Sequence, residues 1–299
     1  MLDLSIIILS YNTKVLTLDC LESLLADKTN RKYDVWVVDN TSRDGSAEAV
    51  KRQYPEVNII ESKRNLGFSG GNNLGLKKAY HLSKYSLLLN SDTLIKPGFI
   101  NTILKIAEEY NYSILSCKLI GHDHKLQPNA GELPKPLALF VWLSGLDDIF
   151  RAVFRIPSYQ ERNAGFYKGT KRVGWVSGSV MLFRNSDIQK VGFLDDRIFM
   201  YAEDVDYCWR TGMKGLNVGW TDECEVIHLG GGSLQKPKYS QWIGEFMGLI
   251  YLYQKHYGKM QANLLRLSIR FFILLRILAF GLLGRKEVAL TYAKVIREI

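Results

Sequence analysis

Two sets of acidic side chains have the type and spacing to do chemistry in this sequence. The first is a single carboxylate, Asp92, which follows the apolar run Leu87-Leu88-Leu89 after Asn90 and Ser91. A lone carboxylate at the end of a buried strand suits a hard divalent cation, which would in turn hold a diphosphate. On residue type and spacing alone, an ordinary helix cap explains this carboxylate equally well.

The second set is Glu203, Asp204 and Asp206, which crowd together where a loop is expected to become a helix. Acidic residues at a helix start complement the helix dipole and cap its free N–H groups. Three of them within four residues, among aromatic neighbours, exceed what capping requires. A carboxylate in a partly dry aromatic wall would have a raised pKa, as a general base requires.

A histidine supplies a second candidate metal ligand. His228 ends the segment from Val218, which is predicted to be a strand, and a glycine-rich stretch follows at 230–233. Such a lone histidine is more often structural, but its place at a strand end beside a glycine loop makes it a candidate second ligand for the cation at Asp92. His122 and His124 also have a spacing that could bind metal, but an exposed hairpin tip is the preferred interpretation.

The elements that must position these groups follow an alternating pattern. Apolar runs predict strands, and segments with helical spacing lie between them. The predicted strands are 5–10, 35–38, 57–60 and 87–89, and the predicted helices are 15–25, 47–53 and 76–82. This β-α-β order implies a mostly parallel sheet with right-handed crossovers, whose ligands collect outside the carboxyl ends of the strands.

The second half of the chain is predicted to continue this pattern less regularly. We expect helices at 99–110 and 185–191, strands at 114–120 and 173–183, and two strongly apolar segments at 137–143 and 149–156. Those apolar segments could cover the core, line an acceptor groove or touch lipid.

The glycine-rich loop at 65–73 follows the third predicted strand and does not have the G-x-G-x-x-G spacing of a dinucleotide fold. It could present backbone amides to a phosphate or a ribose, or it could be a tight turn that needs glycine. Both interpretations stay open.

The charge of the chain is uneven. The net charge is +9, and from residue 236 onward there are eleven basic and three acidic residues. Such a basic end would meet an anionic surface, either a membrane or a nucleic acid. No nucleic-acid fold signature accompanies it, so we expect no nucleic-acid partner.

The segment 264–283 is apolar but contains Arg266, Arg270 and Arg276. Each arginine costs about 2.5–3.5 kcal/mol at mid-bilayer, whereas each Leu, Ile or Phe returns only about 0.3–0.6 kcal/mol. A helix lying in the membrane interface therefore fits better than a spanning one. Packing on its own domain, or on a second subunit in a homodimer, is the alternative.

Four cysteines lie far apart without a C-x-x-C pair, which disfavours a zinc site or a disulfide scaffold and suits a reducing compartment. The N-terminus lacks the basic segment and long apolar run of a signal peptide. We therefore expect a cytoplasmic protein, peripheral at the inner face of the cell membrane.

Seven motifs, taken together and in order, resemble the family-two glycosyltransferases with the GT-A fold. The motifs are SIIILSYN (5–12), VVDN (37–40), NLGFSGGNN (65–73), LNSD (89–92), VSGS (176–179), YAEDVD (201–206) and HLGGGS (228–233). The nearest branch resembles the bacterial rhamnosyltransferases that extend polysaccharides on polyprenyl-diphosphate carriers. The match covers about residues 3 to 257.

The resemblance implies a role for each matched residue. Asp204 would be the catalytic base, with Glu203 the second candidate, and Asp92 with His228 would hold Mg²⁺ or Mn²⁺ on the donor diphosphate. Trp175, Gly178 and Glu203 would contact the acceptor. The implied donor-binding residues are Ser10, Tyr11, Asn12, Asp39, Asn40, Asn65, Gly67, Asn90, Ser91 and Asp92.

The sequence thus predicts an α/β protein with a mostly parallel central sheet flanked by helices, the GT-A nucleotide-diphospho-sugar transferase fold. The transferase domain is expected at 1–235 and a basic, amphipathic helical appendage at 236–299. The resemblance implies an inverting, metal-dependent transfer, with L-rhamnose from dTDP-rhamnose as donor sugar and a lipid-linked saccharide as acceptor. The alternatives are another donor, such as a UDP-hexose, and a non-catalytic sugar-nucleotide-binding protein.

Overall fold

The computed structural model describes residues 1–146, 158–230 and 239–299. The chain forms two compact units. The first, which we call the catalytic unit, consists of Met1–Leu133, Gln160–Phe199 and Glu203–Gly231. The second, the C-terminal unit, consists of Met200–Ala202 and the described parts of Pro134–Tyr159 and Gly232–Ile299. The predicted apolar segment at 149–156 and the predicted domain boundary between 235 and 236 lie outside the described residues.

The first half of the catalytic unit alternates strands and helices as predicted. Its strands are β1 (Leu2–Ser10), β2 (Tyr33–Asp39), β3 (Asn58–Glu61) and β4 (Ser83–Asn90), and its helices are α1 (Lys14–Leu25), α2 (Ser46–Gln53) and α3 (Gly67–Ala79). These four strands pair in parallel in the order β3-β2-β1-β4. The polar ends of β1, β2 and β4 therefore meet at one edge of the sheet.

The second half of this unit adds the elements that carry the remaining candidate residues. They are β5 (Thr93–Ile95), α4 (Phe99–Glu109), β6 (Ile114–Ile120), β7 (Leu126–Gln127), β8 (Ala130–Gly131), β9 (Lys171–Arg172), β10 (Trp175–Val176), β11 (Val180–Arg184), α6 (Asn185–Val191), α7 (Glu203–Met213) and β12 (Val218–His228). The main sheet continues from β4 as β11-β6-β12-β5, with β11 and β5 antiparallel to their neighbours. The sheet is therefore mixed, with its four N-terminal strands all parallel.

The leucine run that precedes Asp92 is buried on both faces of the sheet, as its lack of alternation predicts. Leu87, Leu88 and Leu89 are 0%, 1% and 2% exposed. At about 25 cal/mol per Å² of apolar surface, each such side chain contributes about 1.5–3 kcal/mol of burial. The strand end that carries Asn90 and Asp92 is thereby anchored in the core.

The helix after the third strand begins at Gly67, nine residues earlier than the predicted 76, so the glycine-rich loop is largely helical. The reason is close packing. A β-carbon at Gly71 would lie 2.5 Å from Leu9 Cδ1, and one at Gly75 would lie 2.5 Å from Ile7 Cγ2. These glycines allow α3 to approach β1 closely, so they serve the packing of helix on sheet.

The segment 173–183, predicted as one bent strand, forms two strands in different sheets. β10 pairs with β8 in a two-stranded sheet, and β11 joins the main sheet between β4 and β6. The turn at 177–179 separates them and therefore lies next to the end of β4.

The described residues of the C-terminal unit are mostly helical. Its helices are α5 (Pro136–Ser144), α8 (Tyr239–Tyr257), α9 (Lys259–Leu282) and α10 (Lys286–Glu298). Helix α9 buries Leu265, Ile269 and Ile273 on one side, and Arg276 donates a hydrogen bond of 2.9 Å to the Leu143 carbonyl oxygen of α5. Among the described residues, no helix combines the length and the apolar character needed to cross a membrane.

Candidate active site

Asp92 and His228, which are far apart in the sequence, meet at the polar edge of the main sheet. Strand β12 pairs with β5 so that His228 lies opposite Thr93, the residue after Asp92. As a result, His228 Nε2 is 3.3 Å from Asp92 Oδ1. The Asn90 side-chain nitrogen is 3.4 Å from the same His228 nitrogen. The structure therefore brings together the two predicted metal ligands.

A third side chain, Gln127 on β7, holds the other side of the imidazole. Its Oε1 atom is 2.8 Å from His228 Nδ1, and its Nε2 atom donates a hydrogen bond of 3.0 Å to the His228 carbonyl oxygen. Sequence reasoning missed Gln127, because it lies in a polar stretch between two short strands and no pattern in a single sequence marks it.

The residues around this pair fit a divalent cation. A β-carbon at Gly230 would collide with Asp92 Oδ2 and would lie 2.7 Å from His228 Nε2, so only glycine leaves the space beside both donor atoms open. The described residues contain no group of three or more His, Cys, Asp or Glu that could hold a metal. A cation on one carboxylate and one imidazole would take its remaining ligands from water and diphosphate oxygens, since a divalent cation on a nucleotide commonly keeps several waters and binds the substrate phosphates.

The predicted base stands at the start of α7, where backbone groups hold its carboxylate. The Gly178 N–H donates to Asp204 Oδ2 at 3.0 Å, and the Val205 N–H donates to Asp204 Oδ1 at 2.8 Å. Tyr201 and Ala202, just before the helix, have φ values of 71° and 73°. A non-glycine residue in this left-handed region is strained, and such strain concentrates at functional sites.

The two adjacent carboxyl groups differ in their surroundings. Glu203 is 5% exposed, and its Oε2 atom has no hydrogen-bond partner among the described residues. Burial, together with the neighbouring Asp204 charge, raises the pKa of Glu203 well above its usual value. Burial also raises the pKa of Asp204, but the N–H groups of Gly178 and Val205 oppose that rise by stabilising its carboxylate. Asp204 is therefore the more readily ionised of the pair.

The turn between β10 and β11 connects the base to the metal end. The Asn90 N–H donates to the Ser179 carbonyl oxygen at 2.9 Å, and Gly178, one residue earlier, donates to Asp204. A β-carbon at Gly178 would lie 3.0 Å from the Phe68 ring, so a side chain there would require that ring to shift. The residues predicted to carry catalysis and metal binding thus meet at one edge of the sheet.

The predicted nucleotide side lies at the ends of β1 and β2. Asp39 is 5% exposed; the Ser42 N–H donates to its Oδ2 atom, and its Oδ1 atom is buried without a described partner. A buried carboxylate oxygen without a donor is costly, which suits a ligand N–H or O–H group at this position.

The side chains of Asn40 and Asn65 are already used by the protein. Asn40 Nδ2 donates to Asn65 Oδ1 and to the Gly67 carbonyl oxygen, and Asn40 Oδ1 accepts from the Leu66 N–H. Gly67 has φ +70°, and a β-carbon there would collide with the Phe199 carbonyl oxygen. These residues hold the start of α3 in place, so a role in donor binding would be indirect.

Ser10, Thr13 and Ser91 form a hydroxyl chain between the ends of β1 and β4. Thr13 Oγ1 is 3.2 Å from Ser10 Oγ and 3.1 Å from Ser91 Oγ. Tyr11 is 48% exposed beside this chain, and Asn12 is joined by hydrogen bonds to the loop after β2. These contacts place all the predicted donor-binding residues at the ends of β1, β2 and β4 and at the start of α3.

Residues 5–192, more than half of the chain, match the family model described as Glycosyl transferase family 2. The chain belongs to this family. A hexosyltransferase of low-salt glycan biosynthesis from Haloferax volcanii, Agl10, is 27% identical over 228 residues, which cover 76% of this chain and 67% of the relative. The rhamnosyltransferase WbbL of Escherichia coli K12 is 28% identical over 229 residues, covering 75% and 82%.

A third relative of this family 2 glycosyltransferase is an N-acetylglucosaminyl-diphospho-decaprenol L-rhamnosyltransferase from Mycobacterium tuberculosis. It is 27% identical over 215 residues, which cover 67% of each chain. Two solved structures share the fold. GalNAc-T7 with UDP, GalNAc and Mn²⁺ has a TM-score of 0.59 at 11% identity, and S. aureus TarS 1–349 with UDP has a TM-score of 0.53 at 13% identity.

The alignments cover 85% of this chain and 48% of GalNAc-T7, and 91% of this chain and 70% of TarS. The predicted GT-A fold and the predicted glycosyltransferase class are thereby confirmed.

One predicted acceptor residue has a surprising environment. Trp175 in the family 2 transferase is 5% exposed, so its ring offers little surface to a sugar, and its acceptor role stays a prediction.

Proposed function

We propose that this family 2 glycosyltransferase transfers its sugar with inversion and with the help of a divalent cation. The observation that carries the proposal is the convergence of Asp92, His228 and Asp204. The first two are 3.3 Å apart, and the third is tied to them through the turn that bonds both Asn90 and Asp204. A transferase needs a diphosphate anchor and a general base at one site, and these residues have the required chemistry.

In the proposed reaction, Asp204 Oδ accepts the proton of the acceptor hydroxyl as that oxygen attacks the anomeric carbon. The new glycosidic C–O bond forms while the bond between the anomeric carbon and the diphosphate oxygen breaks, and the nucleoside diphosphate leaves with the electron pair. Base catalysis of this kind contributes about 10²- to 10⁴-fold. Mg²⁺ or Mn²⁺ held by Asp92 and His228 would offset the growing diphosphate charge, an effect worth several kcal/mol.

For the substrates, we propose L-rhamnose from dTDP-rhamnose and a saccharide acceptor on a polyprenyl diphosphate. Two of the relatives described above are named rhamnosyltransferases, and one of these names includes a diphospho-decaprenol acceptor. The buried, unpaired Asp39 Oδ1 atom supports a base with an N–H group, such as thymine or uracil, on the nucleotide.

The test is a transfer assay with purified protein, a synthetic prenyl-diphosphate saccharide and a panel of dTDP- and UDP-sugars, with Mn²⁺, with Mg²⁺ and with a chelator. We expect a product from dTDP-rhamnose that forms only with the metal. NMR of this product should show an anomeric configuration opposite to that of the donor. Transfer from a UDP-hexose alone would replace the donor assignment. Tight donor binding without transfer or donor hydrolysis would support the non-catalytic alternative and contradict the proposal.

We further propose that the C-terminal unit lies on an anionic membrane surface. Helix α9 has a second apolar face, opposite its buried one, which we call the outer apolar face. Its members repeat every three or four residues and are 51–90% exposed: Met260, Leu264, Leu267, Phe271, Leu274, Leu278 and Leu282. The surrounding basic excess favours anionic lipid over a second copy of the same charged helix.

A sedimentation assay with phosphatidylglycerol vesicles tests this surface in the full-length chain. We expect a triple variant, Leu267→Gln, Phe271→Gln and Leu278→Gln, to lose vesicle binding, and neutral phosphatidylcholine vesicles to bind the wild type less. Binding of the wild type to the phosphatidylglycerol vesicles that weakens as the salt concentration rises supports the proposal. A stable dimer in light scattering that the triple variant dissociates, without vesicle binding, would assign the outer apolar face to self-association instead.

A further inference from the structure

Gln127 is placed by the hairpin that sequence analysis treats as an exposed tip. Strands β6 and β7 pair so that Leu119 lies opposite Gln127, and the Gly121 N–H closes the turn on the Lys125 carbonyl oxygen at 2.8 Å. The histidines at the tip, His122 and His124, are exposed. The hairpin therefore contributes to the site through Gln127, at its base, and not through its histidines.

The two hydrogen bonds of Gln127 determine which ring nitrogen of His228 carries a proton. Because Gln127 Nε2 donates to the His228 carbonyl oxygen, the atom facing His228 Nδ1 is the amide oxygen, which can only accept. Nδ1 must then be the donor. A neutral imidazole with its proton on Nδ1 presents a lone pair at Nε2, and the Asn90 amide nitrogen, a donor, faces that lone pair at 3.4 Å.

The same contacts hold the main chain where the metal ligands meet. Gln127 binds the carbonyl group of His228, and the next residue, Leu229, donates its N–H to the Asp92 carbonyl oxygen at 2.7 Å. Both the ring and the backbone of the last residue of β12 are thereby held relative to Asp92. Histidines that bind metals generally donate their other ring N–H to such a partner, which fixes the tautomer and the ring orientation.

We propose that Gln127 is a positioning residue that directs His228 Nε2, as an unprotonated nitrogen ligand, toward a divalent cation at Asp92. This inference rests on the proposed function, since it assumes that this pair binds the cation. It also predicts a metal preference. Mg²⁺ strongly prefers oxygen ligands, whereas Mn²⁺ accepts imidazole more readily, so the oriented nitrogen favours Mn²⁺ over Mg²⁺.

The first experiment measures Mn²⁺ binding to the full-length chain by electron paramagnetic resonance, and Mg²⁺ binding by competition. We expect Gln127→Leu to weaken Mn²⁺ binding by about 10- to 100-fold and Mg²⁺ binding by less, because the lost orientation affects the nitrogen ligand. Gln127→Glu keeps an acceptor for Nδ1 but loses the donor to the His228 carbonyl oxygen, so it should bind Mn²⁺ more tightly than Gln127→Leu does. Gln189→Leu, an exposed glutamine on α6, is the matched control and should bind as the wild type does.

The second experiment reads the tautomer directly, without metal. Long-range ¹H–¹⁵N NMR spectra of the five histidines, with His228→Ala to assign the signal, should show the His228 proton on Nδ1 in the wild type. Gln127→Leu should shift it toward Nε2. A wild-type proton on Nε2, or wild-type Mn²⁺ affinity in a folded Gln127→Leu protein, would overturn the inference.

The two proposals fail in different ways. Metal binding and tautomer are measured without sugar transfer, so an inactive protein with the expected metal results would contradict the proposed function and support the role of Gln127. An active transferase whose Mn²⁺ affinity is unchanged in His228→Ala would contradict the role of Gln127 and would place the cation on ligands other than His228.

Discussion

The two compact units differ in how far the apolar side chains of one element in each are exposed. In the catalytic unit, the run that leads to Asp92 is buried on both faces, with Leu88 1% exposed. In the C-terminal unit, helix α9 buries Ile269 completely but leaves its neighbours Leu267 and Phe271 61% and 57% exposed. The leucine run of β4 is thus buried by the protein itself, whereas helix α9 keeps one row of apolar side chains exposed.

This difference in exposure suits the two units to different kinds of partner. In the catalytic unit, the strand ends and the start of α7 are polar, and the buried oxygens without a partner among the described residues include Asp39 Oδ1 and Glu203 Oε2. Such atoms suit small polar ligands. Where an apolar face has no cover within the described chain, the suitable partner is an extended apolar surface.

The largest effect is expected from Asp204→Asn in the catalytic unit. The amide has nearly the same shape but cannot accept the acceptor proton, so turnover should fall by about 10²- to 10⁴-fold. Donor binding, followed by calorimetry with the nucleoside diphosphate, should change little. A variant with the wild-type rate would show that the base is a different residue.

The next largest effect is on stability in the C-terminal unit. Ile269→Ala removes buried methyl groups and should lower the free energy of unfolding by about 2–5 kcal/mol. Leu267→Ala, two residues away on the outer apolar face, should change it by less than about 0.5 kcal/mol. Urea denaturation followed by circular dichroism compares the two. Equal losses would mean that the outer apolar face is covered in solution.

A smaller effect is expected from Gly230→Ala beside the proposed metal ligands. The new methyl group would occupy the space next to Asp92 Oδ2 and His228 Nε2, so Mn²⁺ affinity should fall, on the order of 10-fold. The matched control is Gly212→Ala, because a β-carbon at Gly212 meets no atom within 4 Å. Unchanged Mn²⁺ binding in Gly230→Ala would place the cation elsewhere.

The smallest expected effect is the contribution of Glu203 to the pH dependence of stability. Its pKa is raised in the folded state, so ionisation costs stability, and the cost grows as the pH rises from the unfolded pKa through the folded one. Glu203→Gln removes this cost, so the variant should gain thermal stability relative to the wild type as the pH increases. Melting curves between pH 4 and pH 9 measure the difference. A constant difference across this range would contradict the raised pKa.

The activity of the wild type should also follow pH through Asp204. Only the ionised carboxylate accepts a proton, so kcat/KM should fall as the pH drops through the Asp204 pKa, which is raised by burial. The acid limb of the profile should therefore lie above the usual Asp value of about 3.9. A rate that stays constant down to that value would contradict the assignment.

Much of the fold could be predicted from the sequence because the signals are local. The sequence predicts a strand at 114–120, where β6 spans Ile114–Ile120, and a helix at 185–191, where α6 spans Asn185–Val191. Strands β10 and β11 were predicted as one element. They are separate because Trp175 and Val176 pair with β8 in a second sheet. Such pairing with a distant segment cannot be predicted from the local sequence.

The order of residues by itself determined the parallel arrangement of the first strands, the polar ends of those strands and the carboxylates of the candidate site. These features can be read from the spacing of apolar residues and from the order of the segments, because each strand must bury its own apolar run. Only the tertiary structure decided that Gln127 would hold His228 and that Gly230 would leave space beside Asp92. It also decided which face of α9 is buried, because these contacts join residues from separate segments and depend on how those segments pack.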